Sequence, residues 1–283
     1  VPDRGAPLVY QYSIDSSTGQ LRALTPATVA PTGGDPITAM VHPNGQYLYV
    51  GHLGTDGIDM YIIDQTTGQL SQNTPFNLAG CSGADEFVKH PTLDILYALC
   101  GNNIRRHTIN ADGTLTHIGN TGGPGSQAGG VTISPDGNYM FAASQGANQV
   151  RAYTVDAAGL PASVGTIGTD QWANRVVVDA TSSYAYVNCW NNSAETVRQY
   201  AIAPGVGTLS DLTPNSVGTG GDPLGIITEP TGRYLYVANS SSNNVQQYAL
   251  DSTTGLLTSN GTIGAGGGSG PRGMVVLTEE VTD

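Results

Sequence analysis

Short apolar runs alternate with turn-forming residues along the whole chain. Residues 38–41 form one such run, residues 43–45 read Pro-Asn-Gly, and residues 47–50 read Tyr-Leu-Tyr-Val. Pro, Asn and Gly favour tight turns, whereas aromatic and β-branched residues favour strands. No segment of ten residues carries the helical spacing of about 3.6 residues per turn. The pattern therefore predicts an all-β chain of short antiparallel strands.

One motif recurs six times along the chain. A tyrosine in sequences such as Val-Gln-Gln-Tyr-Ala-Leu-Asp marks each repeat, and a histidine takes its place once: Tyr12, Tyr61, His107, Tyr153, Tyr200 and Tyr248. Successive markers lie 46 to 49 residues apart, and counting on from the last marker through the C-terminus to the first gives 47. A period of this length, with four short strands in each repeat, is typical of a propeller blade.

The sequence therefore predicts a single domain over residues 1–283, a six-bladed β-propeller with four-stranded blades. The blades are expected at about residues 35–83, 84–127, 128–170, 171–220 and 221–270, with the sixth built from residues 271–283 together with 1–34. In that sixth blade, residues 271–277 are expected as the innermost strand and residues 8–14 as the third. Closing one blade with both termini would remove the two open sheet edges of the ring.

The charge composition argues against several classes of partner. The formal net charge is −12, and Lys89 is the only lysine. Because no basic stripe could neutralise phosphates, no binding to nucleic acid or to an anionic membrane surface is expected. No run of 18 apolar residues occurs, so membrane insertion is not expected either. The scarcity of lysine and the abundance of Ser, Thr, Asn and Gly favour an extracytoplasmic protein, secreted, periplasmic or at the cell surface.

Residues 34–70 carry a motif that resembles a known family. They contain Gly-Asp-Pro, then His-Pro-Asn-Gly-Gln-Tyr-Leu-Tyr-Val, then Tyr-Ile-Ile-Asp-Gln-Thr-Thr-Gly-Gln-Leu. This pattern resembles lactonase-type propellers and the related YVTN-repeat proteins, and the resemblance covers the whole chain. It implies a propeller fold, and either a lactone-processing enzyme, such as a 6-phosphogluconolactonase or a muconate-cyclising enzyme, or a surface-layer or envelope protein.

This chain departs from the enzymes of that family in two respects. They usually have seven blades, and they often carry Pro-Arg-His at the start of an inner strand. The corresponding residues here are Pro36-Ile37-Thr38 and Pro223-Leu224-Gly225. The departure bears on the enzymatic activity more than on the fold.

Ligands of a propeller normally lie at the ring axis, where the inner strands begin. Aligning the repeats gives a first set of residues there, Ile37, Asp85, Gly129, Asn174, Leu224 and Arg272, and a second set, Thr38, Glu86, Gly130, Arg175, Gly225 and Gly273. The polar members are Asp85, Glu86, Asn174, Arg175 and Arg272. Two interpretations stay open: a polar ligand pocket at the tunnel mouth, or charges that neutralise one another around a wet tunnel.

A third set lies where the second strand of each repeat ends: His52, Cys100, Ser144, Cys189 and Asn239. His52 is a further candidate for ligand binding at the same mouth. Trp190 follows this set, and its ring could stack on a sugar or an organic ring or could pack over a blade edge.

The remaining histidines favour structural roles. His42 and His90 precede a proline at a turn, where Ser134 and Glu229 stand in other repeats, which predicts hydrogen bonding within the turn. His107, in the marker position, is expected to be a packed residue or a residue at a sheet edge. No spacing of histidines, cysteines or carboxylates typical of a zinc or calcium site occurs, so no metal and no cofactor is expected.

Three cysteines are present in the sequence. Cys81 precedes an inner strand, and Cys100 ends the strand expected to pair with it, so a disulfide between them is predicted, with Cys189 free. Three independent buried thiols are the alternative, because Cys100 and Cys189 share one position of the repeat.

Three functions compete at this stage. The leading hypothesis is an extracytoplasmic binding or scaffold module with a small molecule or a protein at the tunnel mouth or a face. The second is a lactone hydrolase, in which Glu86 or Asp85 is the general base and Arg175 or Arg272 stabilises the oxyanion. The third is a structural cell-surface repeat protein without a ligand.

Overall fold

A computed structural model describes residues 2–3, 8–14, 20–31, 35–53, 57–73, 86–190, 195–265, 270–271 and 274. The chain forms two compact units, Val1–Gly122 and Gly123–Asp283, and each is described by itself. Every regular element in the described part of the chain is a β-strand.

The first unit contains three antiparallel sheets. The N-terminal sheet has three strands: β1 (Pro2–Asp3), β2 (Leu8–Ile14) and β3 (Leu21–Val29). Blade 1 has four strands: β4 (Asp35–Val41), β5 (Tyr47–Leu53), β6 (Ile58–Ile63) and β7 (Leu70–Gln72). Blade 2 also has four: β8 (Glu86–Lys89), β9 (Ile95–Cys100), β10 (Asn103–Ile109) and β11 (Leu115–Gly122).

The second unit contains three four-stranded sheets. Blade 3 consists of β12 (Ala128–Ile133), β13 (Tyr139–Ser144), β14 (Gln149–Val155) and β15 (Pro161–Gly168). Blade 4 consists of β16 (Ala173–Val178), β17 (Tyr184–Cys189), β18 (Thr196–Ile202) and β19 (Leu209–Gly218). Blade 5 consists of β20 (Pro223–Thr228), β21 (Tyr234–Asn239), β22 (Asn244–Leu250) and β23 (Leu257–Gly264).

Sheets of four antiparallel strands in sequence order are propeller blades, so the predicted all-β propeller fold is confirmed. Five of the six sheets have four strands in the described residues, and the N-terminal sheet has three. Residues 272–273 and 275–283 lie outside the described part of the chain. The six-bladed count and the blade shared by both termini therefore stay predictions.

The second strand of each blade lies in the core. All six residues of β9 are buried, and so are all six of β13. A strand covered on both faces reads as a continuous apolar run, and this explains why Tyr-Leu-Tyr-Val and its counterparts do not alternate with polar residues. The fourth strands are mostly exposed, as in β23, where only Leu257 is buried.

The marker tyrosines join neighbouring sheets. The Tyr200 hydroxyl in blade 4 donates to the carbonyl of Gly168 at the end of blade 3, over 3.1 Å. Tyr248 in blade 5 donates in the same way to Gly218 of blade 4, over 2.6 Å. Both phenol rings are buried. One residue type at one repeat position therefore supplies both apolar packing and an inter-blade hydrogen bond.

A second tyrosine contact explains the glycine in the turn between the third and fourth strands. Tyr186 of blade 4 donates from its hydroxyl to the carbonyl of Gly255 in blade 5, over 2.8 Å, and Tyr49 of blade 1 donates to Gly113 of blade 2, over 2.6 Å. Gly255 and Gly113 have φ of +71° and +83°. A Cβ at either would lie within 2.6 Å of a neighbouring tyrosine ring, so glycine is needed for both conformation and space.

The turn between the first and second strands is held by one acceptor side chain. The Nδ1 atom of His90 accepts hydrogen bonds from the amides of Thr92 and Leu93, and His42 Nδ1 accepts from the amide of Asn44. In blade 5, Glu229 accepts from backbone amides in the corresponding turn. The predicted turn role of these histidines is confirmed.

The Glu229 turn makes stability depend on pH. Although partial burial opposes ionisation, hydrogen bonds from Thr231, Arg233 and Tyr234 hold the pKa of the Glu229 carboxyl below its usual 4.5. Because the folded-state pKa is depressed, this stabilisation is present above the unfolded-state value and is lost as pH falls through the folded-state pKa.

Glu229→Gln is expected to cost about 1 kcal/mol at neutral pH. In urea unfolding from pH 7 to pH 3, the difference from wild type should shrink below pH 4.5; a pH-independent difference would contradict this assignment.

Candidate functional site

The inner strands of four blades carry a β-bulge close to their first residue. In blade 4 the pairing of β16 with β17 skips Asn174, and in blade 5 the pairing of β20 with β21 skips Leu224. The pairing of β4 skips Ile37, and that of β12 skips residues 129–130. Four members of the first set, Ile37, Gly129, Asn174 and Leu224, therefore coincide with a bulge, which re-aims side chains at the end of a sheet.

The residue two positions before the bulged one adopts a left-handed conformation in the three blades of the second unit. The φ values are +50° at Gln127, +58° at Trp172 and +51° at Asp222. In these three blades the backbone at this position is therefore left-handed, although the residue that occupies it differs. Asp tolerates that region, but a bulky side chain does so at a cost of about 1–3 kcal/mol.

Asn174 joins three blades. Its Nδ2 atom donates to the carbonyls of Pro223 and Leu224 in blade 5, over 3.3 and 3.1 Å. Its Oδ1 atom accepts a hydrogen bond from Gln145 of blade 3, over 2.9 Å. The Asn174 carbonyl lies 2.0 Å from where a Cβ of Gly129 would stand. The inner strands thus approach so closely that blade 3 needs glycine there, and the Asn174 amide is used in inter-blade contacts.

Arg175 follows Asn174 on β16 and is half-buried. Its backbone amide donates to Oδ1 of Asn188 over 2.9 Å, which bridges the bulge. Burial lowers the pKa of the Arg175 guanidinium from its usual value. A partly desolvated cation of this kind interacts with a bound oxyanion more strongly than a solvated one would.

The two tryptophans of the chain meet at this end of the β16–β17 hairpin. Trp172 directly precedes β16 and Trp190 directly follows β17, and their ring centroids lie 5.2 Å apart at an interplanar angle of 66°. The Trp190 amide donates to the Trp172 carbonyl over 3.2 Å, and the Trp172 amide donates to Oδ1 of Asn148 over 2.9 Å. Trp172 is nevertheless 42% exposed. We call these two residues the tryptophan pair.

Trp190 is a candidate from the sequence, whereas Trp172 is not. A signal was present, because Trp172 occupies the repeat position of Asp222 in Gly-Asp-Pro, where a large aromatic residue is out of place. Arg198 and Asp170 lie on the same blade, 3.4 Å apart as an ion pair, and Thr196 donates to Asp170 over 2.6 Å. The tryptophan pair therefore belongs to a blade end whose polar groups are already hydrogen-bonded to one another.

In the first unit, the predicted His52 points into the core. It is 1% exposed, and its Nε2 atom lies 3.1 Å from Oδ2 of Asp59. The hydroxyl of Tyr61 lies 3.4 Å from the same carboxylate oxygen. Burial, and then the charge of Asp59, raise the pKa of Tyr61. The imidazole of His52 is thus part of a buried polar network of blade 1.

The remaining predicted residues divide between described and undescribed parts of the chain. Glu86 is the first residue of β8 and is partly exposed. Asp85 and Arg272 lie outside the described residues. Asn174, Arg175 and Trp190 come together at one hairpin end of the second unit, whereas Glu86 and His52 belong to the first unit.

Cys100 is in a disulfide bond, and Cys189 is a buried free thiol. Burial raises the pKa of the Cys189 thiol to about 12, so it is an unreactive packing residue. Cys81, the predicted partner of Cys100, lies outside the described residues, and the pairing stays a prediction.

Metal binding and membrane insertion are two further possibilities for the described part of the chain. No group of three or more His, Cys, Asp or Glu side chains is placed to hold a metal ion there. Among the described elements, none is a helix long and apolar enough to cross a membrane.

The comparison with protein families gives one match. The model of the family described as "Lactonase, 7-bladed beta-propeller" matches residues 36–220 and 170–270. No curated protein sequence matches this chain significantly. The described sheets, five with four strands and one with three, do not establish the seven blades of the family description.

Several solved structures share the fold at low sequence identity. A protein from Lactobacillus plantarum is 19% identical, with a TM-score of 0.74 over 89% of this chain and 76% of that one. A putative 6-phosphogluconolactonase from Bacteroides fragilis is 16% identical, with a TM-score of 0.58 over 93% and 97%. A periplasmic gluconolactonase from Pseudomonas aeruginosa is 17% identical, with a TM-score of 0.52 over 93% and 94%.

Proposed function

The chain belongs to the lactonase family of β-propellers, and from this premise we propose that it is a binding module for a small ring-shaped organic molecule. The ligand class is a sugar or a sugar lactone. The tryptophan pair stacks on its ring, and Arg175 faces its polar edge. We further propose that the protein works outside the cytoplasm, because the disulfide at Cys100 and the near-absence of lysine suit an oxidising compartment.

The observation that carries this proposal is the conformation of Trp172. Its backbone is left-handed, as it is at Gln127 and Asp222 in the neighbouring blades. Tryptophan is a poor residue for that conformation, and its ring is 42% exposed. The unfavourable backbone and the exposed ring are both explained if the indole stacks on a ligand, as aromatic rings do in pockets for small organic molecules.

The polar residues around the pair favour binding over chemistry. The Asn174 amide is hydrogen-bonded to both neighbouring blades, and the side chain of Asp170 is shared between Thr196 and Arg198. These groups hold the hairpin end rigid, and a rigid aromatic surface loses little conformational entropy when a ligand binds.

The test uses the fact that the sequence contains two tryptophans. Selectively excited tryptophan emission therefore reports on the pair directly. D-glucose and D-glucono-δ-lactam, a lactone analogue that water does not open, are the probes. We expect a saturable emission change with at least one of them. In calorimetry, Trp172→Gly should weaken that binding at least tenfold, about 1.4 kcal/mol, while the melting temperature stays equal or rises because glycine relieves the backbone.

Leu160→Ala is the matched control, because Leu160 is equally exposed, at 42%, in the same unit. It should leave binding unchanged. Equal affinity in Trp172→Gly and wild type would refute the site. The absence of binding to either probe would favour the scaffold or cell-surface hypothesis instead.

A lactone hydrolase is the second candidate, and family membership favours it. In this hypothesis Glu86, the first residue of β8, is the general base. Acid released from D-glucono-δ-lactone, above the uncatalysed rate, is the readout. Glu86→Gln should lower that rate at least about a hundredfold, whereas the partly exposed Glu195→Gln should not. Binding without turnover in the wild type rejects the hydrolase and leaves the binding module.

A further inference from the structure

Three of the five histidines hold their rings in internal contacts. His42 and His90 accept hydrogen bonds from turn amides, and His52 lies against Asp59. The other two, His107 and His117, are used by no contact described above. They lie on neighbouring strands of blade 2, β10 and β11.

A β-bulge places these two histidines directly opposite each other on neighbouring strands. Arg106 pairs with Gly119, but His107 pairs with His117, so Ile118 is skipped. Directly paired residues on antiparallel strands point to the same side of the sheet. The two ring centroids lie 5.2 Å apart at an interplanar angle of 52°. His107 is fully buried, whereas His117 is exposed on the outer strand.

Among the residues that the structure describes, neither nitrogen of the buried His107 ring has a hydrogen-bond partner. In other blades this repeat position holds a tyrosine whose hydroxyl reaches a carbonyl of the neighbouring sheet. An unpaired buried polar group costs about 1–3 kcal/mol. His107 therefore lacks the inter-blade hydrogen bond that a tyrosine makes at this repeat position. Packing alone does not account for a histidine there.

We propose that His107 and His117 form a two-imidazole site for one divalent transition metal ion, Zn²⁺, Ni²⁺ or Cu²⁺, which clamps the outer strand β11 onto β10. Imidazole is a preferred ligand of these ions. With Zn–N distances of about 2.0–2.1 Å and tetrahedral geometry, two coordinating rings would have centroids about 5 Å apart. The observed 5.2 Å matches that separation.

The state of the rings suits coordination. An imidazole binds a metal ion through an unprotonated nitrogen, and neither nitrogen of the buried His107 ring has a hydrogen-bond partner among the described residues. Water completes the coordination on the exposed side of His117. The positive charge of Arg105 opposes the metal, so binding is expected to be weaker than in three-ligand or four-ligand protein sites.

The test compares chelator-treated protein with and without zinc, nickel or copper chloride. We expect one ion per chain by equilibrium dialysis and a melting temperature a few degrees higher at saturating metal. The electron paramagnetic resonance spectrum of the Cu²⁺ form should show coupling to two imidazole nitrogens. Thr116→Ala, a change at an exposed neighbour on the same strand, should retain all three results.

His117→Gln should lose the metal-dependent rise in melting temperature and the second nitrogen coupling. Without metal, its melting temperature should equal that of the wild type, because the ring is exposed. His107→Tyr, which restores the residue of the repeat, should also abolish metal binding. An unchanged copper spectrum in His117→Gln, or a wild type that binds none of the three ions, would overturn the site. Sugar binding by the tryptophan pair is measured separately and should be unaffected by either variant.

Discussion

Replacing Gly255 by alanine is expected to lower the free energy of unfolding by about 3 kcal/mol. Gly255 has φ of +71°, where a Cβ is strained by about 1–2 kcal/mol. The new Cβ would also lie 2.2 Å from the ring of Tyr184 in the adjacent blade. That ring cannot move freely, since its hydroxyl donates to the Thr253 carbonyl over 2.6 Å. Steric strain of this kind adds about 1–3 kcal/mol.

Gly205 provides the matched control. Its φ of +74° is nearly the same, but a Cβ there would contact nothing within 4 Å. Its amide donates to the hydroxyl of Tyr139 over 2.6 Å, a bond that alanine keeps. Gly205→Ala should therefore cost only the backbone strain, about 1 kcal/mol. Urea unfolding measures both, and equal losses would show that the blade-to-blade contact at Gly255 contributes nothing.

Asp179→Ala is expected to be equally damaging, at about 3 kcal/mol. Asp179 is 1% exposed and directly follows the first strand of blade 4. Its carboxylate accepts hydrogen bonds from the amides of Thr181, Ser183 and Tyr184, over 3.0, 2.8 and 2.7 Å. Removing it leaves these donors without their acceptor in a partly buried turn, where water can replace it only in part.

Asp251 makes the same kind of contact on the surface. Its Oδ1 atom accepts from the amides of Thr253 and Thr254, over 2.8 and 3.1 Å, in an exposed turn of blade 5. Water can satisfy those amides after Asp251→Ala, so the expected loss of stability is much smaller than for Asp179→Ala. If thermal and urea unfolding give the two variants similar stability, burial of the Asp179 turn is not the cause of its contribution.

Much of the fold could be predicted because each blade repeats the same physical solution. The markers Tyr200 and Tyr248 recur because each fills the core and bonds the preceding blade. The Pro-x-Gly turns recur, as does the hydrogen-bond acceptor side chain before them, because each turn between the first and second strands of a blade needs both. A repeat of this kind exposes its own exceptions, and this is how Asn174 and Arg175 could be singled out.

The side-chain contacts that could not be predicted from the sequence depend on which residues pair across neighbouring strands. The bulge that skips Ile118 sets His107 opposite His117. This pairing cannot be predicted from the number of residues between the two histidines. Trp172 meets Trp190 across 18 residues because one precedes β16 and the other follows its partner strand. His52 was expected at a ligand site, and the structure places its ring in a buried contact with Asp59 on the next strand. In each of these three contacts, the position of a side chain depends on its partner on another strand.

The most direct test of the binding proposal is to follow the indole N–H signals of isotope-labelled protein by nuclear magnetic resonance. The sequence contains two tryptophans, so two indole signals are expected, and Trp172→Gly assigns them by removing one. During titration with D-glucose or D-glucono-δ-lactam, both signals should move along a common saturable curve, with the larger shift at the exposed Trp172. If both indole signals stay in place while backbone signals elsewhere move, or if no signal moves at saturating probe, the tryptophan pair does not hold a sugar or lactone ring.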